Sequence, residues 1–153
     1  MSDDANFRFI LGLKQENSIT LPLLHKIKNK TLNLTGYMLS PPLARALSQC
    51  FKKQDTILNR AIFDNNGLRD EEFGLILTGL AKLQDMKSLL YNNNELGLKA
   101  VEALVPIVSL KTLPYHLEEL RIVNCKVTGL AMTKLLNAIN EKSYLKKLAL
   151  VNA

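Results

Sequence analysis

The sequence predicts an α/β solenoid, a curved arc with short parallel strands on the concave face and helices on the convex face. Three observations predict it. An apolar pattern recurs at a nearly constant spacing, each copy contains a strand-like segment closed by Asn or Cys, and the gaps between copies carry helical periodicity. Such a period, with a strand and a helix in each copy, indicates units that bury their apolar faces only against neighbouring units.

The repeated pattern is LxxLxLxx(N/C)xL, and its copies start near residues 29, 58, 86, 117 and 145. The three clearest copies consist of Leu58, Ala61, Phe63, Asn66 and Leu68, then Met86, Leu89, Tyr91, Asn94 and Leu96, then Leu117, Leu120, Ile122, Cys125 and Val127. In each copy the central x-L-x segment is predicted to be a strand with its apolar residues pointing inward. The Asn or Cys is expected to satisfy backbone polar groups where the chain leaves the strand.

The first copy is divergent, and the segment before it contains no copy. Asn29 and Tyr37 stand where the pattern has Leu and Asn or Cys, although Leu32, Leu34 and Leu39 are in place. Residues 1–28 are predicted to form a helical cap. Its two helices would use the following residues: Phe7, Ile10, Leu11 and Lys14 after Ser2, then Leu21, Leu24 and Ile27. The repeats therefore extend from residue 29 to residue 153.

Helical periodicity fills the gaps between copies. Apolar residues at spacings of three and four are Phe73, Leu77, Leu80 and Leu83 in one gap and Met132, Leu135, Leu136 and Ile139 in another. Three helix starts carry capping signals: Ser40 before a proline pair, Asp70 before two glutamates, and Thr128 before Gly129. Pro106 is expected to kink its helix or end it early, which leaves residues 109–116 as an irregular loop.

The last copy is incomplete. It begins with Leu145 and stops at Ala153, so a strand is expected with no helix after it. Leu148 and Leu150 would then be left open at an edge of the sheet. Either further repeats of a longer protein or another subunit would cover this C-terminal edge.

The spacing of 28 to 29 residues between most copies, with a full helix in each, resembles the ribonuclease-inhibitor-like subclass of leucine-rich repeat proteins. The alternation of Asn94 with Cys125 at one site is similar to that subclass as well. The resemblance covers residues 29–153 and implies the solenoid. It implies no single activity, because the subclass includes inhibitors, GTPase-activating proteins, immune sensors and ciliary or cytoskeletal components.

Alternate strand residues are expected to point out of the concave face, where a partner would bind. Two apolar pairs should lie side by side there, Ile62 next to Leu90 and Val123 next to Val151. The predicted contact residues are Arg60, Ile62, Asp64, Leu90, Asn92, Glu119, Arg121, Val123, Lys147 and Val151. These residues define the candidate partner-binding surface.

Two members of this surface carry specific expectations. Leu90 is predicted to face solvent, and Arg121 is the residue best suited to anchor a partner. The alternative for Arg121 is a surface ion pair with Glu119 or Asp64, which would contribute only about 0 to 1 kcal/mol. The two interpretations differ in whether Arg121 forms an ion pair with one of these carboxylates.

No catalytic constellation is recognised in the sequence, so the chain is predicted not to be an enzyme. His25 and His116 stand alone, and the glycines form no phosphate-binding motif. Cys50 and Cys125 are interpreted as buried, reduced thiols. No metal and no other cofactor is predicted.

Charge and hydropathy restrict the class of partner. The formal net charge of +6 favours an acidic protein partner. The lysines are dispersed and have no interleaved aromatic residues, which argues against a nucleic-acid site. No run approaches the roughly 18 apolar residues of a membrane span, and the N-terminus has no secretory signal. A cytoplasmic location is therefore predicted, with a cytoskeletal or ciliary one included.

The predicted function is that of a protein-interaction module or scaffold that uses the concave face, the C-terminal end, or both. Two alternatives remain at this point. The first is a structural subunit of a large assembly such as a cytoskeletal or ciliary complex, which the basic charge and the open end favour. The second is a regulator of a small GTPase, similar to a GTPase-activating protein, with Arg69 as a contact residue. The second alternative depends on the resemblance alone.

Overall fold

The computed structural model describes residues 26–52, 57–109, 117–140 and 144–153. The strands are β1 (Ile27–Lys28), β2 (Thr31–Asn33), β3 (Arg60–Asp64), β4 (Ser88–Asn92), β5 (Glu95–Leu96), β6 (Glu119–Val123), β7 (Lys126–Val127) and β8 (Lys147–Val151). The helices are α1 (Pro41–Lys52), α2 (Asp70–Leu80), α3 (Leu98–Val108) and α4 (Gly129–Asn140). One or two strands therefore precede each helix along the chain, and β8 follows the last helix.

The described strands form one main sheet in the order β1-β2-β3-β4-β6-β8, with β5 and β7 as a separate pair. β1 runs antiparallel to β2, and the remaining neighbours in the main sheet are parallel. A parallel neighbour requires a crossover connection, and helices α1 to α4 supply it. The fold is therefore α/β with a mostly parallel sheet, and β1 and β8 are the two edges of the sheet as described.

The strand register confirms the spacing found in the sequence. Arg60 pairs with Ser88, Ser88 with Glu119, and Glu119 with Lys147. Thr31 of β2 stands opposite Arg60 in the same row. Each of these residues occupies the third position of its sequence copy, so the copies align without a shift in register. Positions that the sequence predicts to be equivalent are therefore neighbours in the sheet.

The core lies between the sheet and the helices, and aromatic rings fill its centre. Phe63 of β3 and Tyr91 of β4 point inward and are fully buried. Phe73 of α2 stacks on Tyr91 with ring centroids 3.6 Å apart, and it meets Phe63 edge-on at 5.7 Å. The Tyr91 hydroxyl donates to the carbonyl of Glu95 at 2.5 Å, and burial raises the pKa of this phenol. The inward assignment of these strand positions is confirmed.

The Asn or Cys that follows β3, β4 and β6 satisfies backbone groups, as predicted. Asn94 Oδ1 accepts from the backbone N–H groups of Asn66 and Leu68 at 3.0 and 3.3 Å. Its Nδ2 donates to the carbonyl of Asn92 at 2.8 Å. The Cys125 thiol donates to the carbonyls of Tyr91 and Val123, each at 3.4 Å. Several of these bonds join one sequence copy to the copy before it.

The helix starts agree with the sequence at two places and differ at a third. α1 begins at Pro41 after Ser40, and Thr128 Oγ1 accepts from the N–H of Ala131 at the start of α4. The sequence predicts that Asp70 caps its own helix, but α2 already begins at Asp70, and Arg69 occupies the N-cap position. The Asp70 carboxylate instead reaches the next helix.

Asp70 caps α3 from the neighbouring helix α2. Its two carboxylate oxygens accept from the backbone N–H groups of Lys99 and Ala100 at 3.1 and 2.7 Å. These N–H groups have no partner within the first turn of α3. At Gly97, the N-cap of α3, an added Cβ would overlap the Asp70 carboxyl group, so glycine leaves the space that this contact needs.

We expect Asp70→Ala to lower the free energy of unfolding by about 0.5 to 2 kcal/mol, the usual cost of losing a capping side chain. Urea unfolding followed by circular dichroism measures the loss. Glu71→Ala is the control, because the adjacent Glu71 makes only an exposed ion pair with Lys99. Equal losses of unfolding free energy in Asp70→Ala and Glu71→Ala would show that the Asp70 contact does not stabilise α3.

Two further details correct the sequence interpretation. α3 contains Pro106 and continues to Val108, so proline ends the helix less abruptly than expected. A proline in the last turn removes a single backbone donor, which explains this tolerance. The sequence places Ile27 in a helix of the N-terminal cap, but Ile27 lies in β1 and pairs with Leu32. The remainder of that cap, residues 1–25, and the loop 110–116 lie outside the described residues.

Candidate protein-binding surface

The strand residues that do not enter the core lie on the sheet face opposite the helices, which we call the open face. Its residues in β3, β4, β6 and β8 are Arg60, Ile62, Asp64, Ser88, Leu90, Asn92, Glu119, Arg121, Val123, Lys147, Ala149 and Val151. All ten predicted contact residues belong to this set. The register also confirms both predicted apolar pairs, Ile62 beside Leu90 and Val123 beside Val151.

Leu90 is not solvent-facing as expected, since only 9% of it is exposed. It lies in the row that places Ile62 on one side and Arg121 on the other. Side chains directly opposite on adjacent strands approach to about 5 Å, so Ile62 and Arg121 shield the leucine between them. Leu90 nevertheless stands outside the main core cluster. Leu90 is the least exposed of the four residues in the two apolar pairs, whereas Val151 on the edge strand is 48% exposed.

The acidic residues of the open face already have partners. Glu119 Oε2 accepts from the Ser88 hydroxyl at 2.5 Å and lies 4.0 Å from Arg60 Nη1. Asp64 accepts from the side-chain amide of Asn93 at 2.7 Å and from that of Asn92 at 3.4 Å. These contacts run across the strands and occupy both carboxylates that the sequence offers as partners for Arg121.

Arg121 is thereby left exposed, and across the described ranges it enters no ion pair. Its row neighbours are Leu90 and Ala149, and Val123 lies on the same face two residues further along β6. A guanidinium presents five donors in a planar fork that fits a carboxylate. Arg121 has no ion-pair partner among the described residues, so it can bind a carboxylate of a partner. The apolar side chains beside it can contact an adjoining apolar group of that partner.

A second polar feature lies directly after the strands that form the open face. Asn65, Asn93, Asn124 and Asn152 each follow a strand, and their φ angles are 53°, 51°, 52° and 49°. Asparagine tolerates this left-handed conformation better than most residues. These four positions form one row, which sequence reasoning missed. These asparagines recur in the sequence at the same spacing as the strands, and this recurrence was the signal that could have revealed the row.

The remaining candidate groups lie apart from this surface. Arg69 is exposed at the N-cap of α2. Cys50 and Cys125 are both buried, and burial raises the pKa of the Cys125 thiol. Among residues 26–52, 57–109, 117–140 and 144–153, His, Cys, Asp and Glu side chains form no group of three or more that could hold a metal. His25 and His116 lie outside these ranges.

None of the described helices is both long enough and apolar enough to cross a membrane.

Comparison with known proteins identifies a related fold but no family. No protein-family model and no curated protein matches the chain. Among solved structures it is similar to a chain named "Leiomodin-1 Actin-Binding Site 2 (ABS2)", with a TM-score of 0.61 and 16% sequence identity. The match covers 92% of this chain and 78% of that one. At this level of identity the similarity shows a shared fold alone.

Proposed function

We propose that this chain is a leucine-rich repeat solenoid of the ribonuclease-inhibitor-like subclass that binds a protein partner and catalyses no reaction. The in-register stacking of the sequence copies supports the repeat assignment. In a solenoid of this kind the open face is the concave one, which such proteins use for binding. The solved neighbour is named as an actin-binding site, which is compatible with a protein-binding role for this chain.

Arg121 carries the proposal, because it lies beside Leu90 and Ala149 in its cross-strand row, is exposed, and has no ion-pair partner among the described residues. Arg60 and Glu119 form an ion pair, and Asp64 accepts from the side-chain amides of Asn92 and Asn93, so these residues form a polar rim. Partner-binding surfaces commonly combine a desolvated anchor with such a rim. The partner therefore offers a carboxylate next to an apolar side chain. The formal net charge of +6 favours approach of an acidic partner.

A peptide library displayed against the immobilised chain tests this proposal. We expect the enriched peptides to contain Asp or Glu beside an apolar residue, and Arg121→Glu to weaken their binding at least about tenfold, or 1.4 kcal/mol. Arg45→Glu is the matched control, because Arg45 is an exposed arginine on α1. Enriched peptides without acidic residues, or equal binding by the two variants, would contradict the proposal.

The change Leu90→Asp is less informative than a change at Arg121. Leu90 is nearly buried, so an aspartate there would affect both stability and binding. Ile62→Asp is the better apolar variant because Ile62 is only partly buried in the same row. Its circular dichroism spectrum should match that of the unmodified chain while peptide binding falls.

The cytoskeletal alternative has one observation in its favour, the actin-binding name of the solved neighbour. Actin filaments are therefore the first polymer to test. Co-sedimentation of the chain with filaments, lost in Arg121→Glu and kept in Arg45→Glu, would favour this alternative and a cytoskeletal location in the cytoplasm. Recovery of the chain in the supernatant at all filament concentrations would exclude actin as the partner.

A further inference from the structure

The first two strands form a tight hairpin. Asn29 and Lys30, the two residues between β1 and β2, have φ angles of 52° and 60°. Positive φ at both residues of a two-residue connection is the geometry of a type I′ turn, which joins antiparallel strands in close register. Lys28 accordingly pairs with Thr31 across the turn. The hairpin therefore fixes which of its side chains reach the open face.

Two lysines of the hairpin point toward the open face. Ile27 of β1 packs against the core, and successive side chains of a strand point to opposite faces, so Lys26 and Lys28 lie on the other side. On β2, Asn33 belongs to the open face because Leu32 before it is fully buried. The Asn33 N–H donates to the Lys26 carbonyl at 2.8 Å, which places these two residues side by side. The hairpin thus extends the open face and adds positive charge to it.

The same side chains line an open depression of about 460 Å³, which we call the hairpin depression. Its lining residues are Lys26, Lys28, Asn29, Thr31, Asn33 and Thr35. Asn33 Oδ1 accepts from the backbone N–H and the hydroxyl of Thr35 at 3.0 and 2.8 Å, so the amide Nδ2 is left to donate to a ligand. No described carboxylate lines the depression, and neither lysine forms an ion pair with a described residue. Positive charge and free donors of this kind fit a carboxylate.

One cross-strand row joins the hairpin depression to Arg121. Asn33 pairs with Ile62, which pairs with Leu90. Leu90 in turn pairs with Arg121, and Lys26 lies beside Asn33 at the other end. The row therefore has a positive charge at each end and two apolar residues between them. Four strand spacings of about 4.8 Å separate its ends, or roughly 19 Å along the sheet.

We propose that the partner binds the open face through one extended segment that crosses the strands, with one carboxylate on Arg121 and a second in the hairpin depression. An extended chain rises about 3.3 Å per residue, so the two acidic residues of the segment lie about six positions apart. An apolar residue midway between them packs on Ile62 and Leu90. This inference rests on the proposed function, because it assigns the second contact of the partner that Arg121 anchors.

The sequence of this chain does not supply such a segment outside the described ranges. The acidic residues there are Asp3, Asp4, Glu16, Asp55 and Glu141. Asp4 and Glu16 are twelve positions apart, and Asp55 and Glu141 are each the one acidic residue of their segment. No two of these acids therefore have the spacing that the row requires. The formal net charge of +6 also favours an acidic segment from a separate protein.

Two peptides of equal composition and charge test the spacing. One is Glu-Ser-Ser-Leu-Ser-Ser-Glu, and the other is Ser-Ser-Glu-Leu-Glu-Ser-Ser. Both have blocked termini, so that side-chain carboxylates alone are compared. We expect the first peptide to bind at least about tenfold more tightly in fluorescence anisotropy, because it alone reaches both positive sites at once.

Variants of the chain locate the second contact. Lys28→Glu should weaken binding of the widely spaced peptide at least about fivefold, because the charge reversal replaces an attraction with a repulsion. The same variant should have little effect on the closely spaced peptide. Lys30→Glu is the matched control, since Lys30 is an exposed lysine of the same hairpin that does not line the depression.

The outcomes separate this inference from the proposed function. Failure of the widely spaced peptide to bind, equal binding of the two peptides, or equal losses in Lys28→Glu and Lys30→Glu would overturn the second contact. Loss of both peptides in Arg121→Glu would still support the proposed function, whereas retention of both would contradict it. Tighter peptide binding after the paired change Asp3→Asn and Asp4→Asn would show that residues 1–25 compete for the depression, and would overturn the assignment to a partner.

Discussion

Replacing Phe73 with alanine is expected to lower the free energy of unfolding by about 3 to 5 kcal/mol, the usual cost of deleting a buried phenyl ring. Phe73 is 1% exposed and contacts Tyr91 and Phe63 by stacking and edge-on packing. It is the residue through which α2 holds two adjacent strands. Removing the ring leaves a cavity that the closely packed surroundings can fill only in part.

Urea unfolding followed by circular dichroism measures the effect of Phe73→Ala. Leu75→Ala on the same helix is the matched control, since Leu75 is 41% exposed and should cost far less. A loss below about 1 kcal/mol for Phe73→Ala would contradict the aromatic packing described here.

Asn94→Ala is expected to cost about 2 to 4 kcal/mol. The change leaves the N–H groups of Asn66 and Leu68 without their acceptor and the carbonyl of Asn92 without its side-chain donor. A buried polar group without a partner costs about 1 to 3 kcal/mol, and the lost bonds stand close together, so their costs are not simply additive. The buried position of Asn94 restricts water from replacing the amide.

Thermal and urea unfolding of Asn94→Ala should be compared with those of Cys125→Asn. Position 125 is equivalent to position 94 in the next copy, and the thiol there donates to the corresponding carbonyls. Cys125→Asn should therefore have a stability close to that of the unmodified chain. An Asn94→Ala variant within about 0.5 kcal/mol of the unmodified chain would show that water replaces these bonds.

Features that depend on position along one sequence copy could be predicted from the sequence. Inward residues such as Phe63 and Tyr91, the turn-closing role of Asn94 and the row that joins Ile62 to Leu90 all follow from the period and its alternation. A repeated pattern gives the register directly, because equivalent residues become neighbours when units stack. The choice of one side-chain partner among several nearby ones is not encoded in this way.

Side-chain contacts that depend on packing between neighbouring copies could not be predicted. The Asp70 carboxylate resembles a cap for its own helix in the sequence, and only the packing of α2 on α3 redirects it. The low exposure of Leu90 likewise depends on the size of its cross-strand neighbours. The pairing of Glu119 with Arg60 and Ser88, which leaves Arg121 without an ion pair in the described chain, is a choice among several nearby partners.

The contact of Asp70 with α3 has a consequence for how the fold comes apart. The first helical residues at the other units are Pro41, Leu98 and Gly129, and these side chains have no carboxylate to offer a neighbouring helix. The junction between α2 and α3 is therefore held by side-chain bonds that the corresponding positions cannot supply. Proteins open locally in cooperative units, and side-chain bonds between two elements raise the free energy needed to separate them. α4 is therefore expected to separate from α3 more readily than α3 separates from α2.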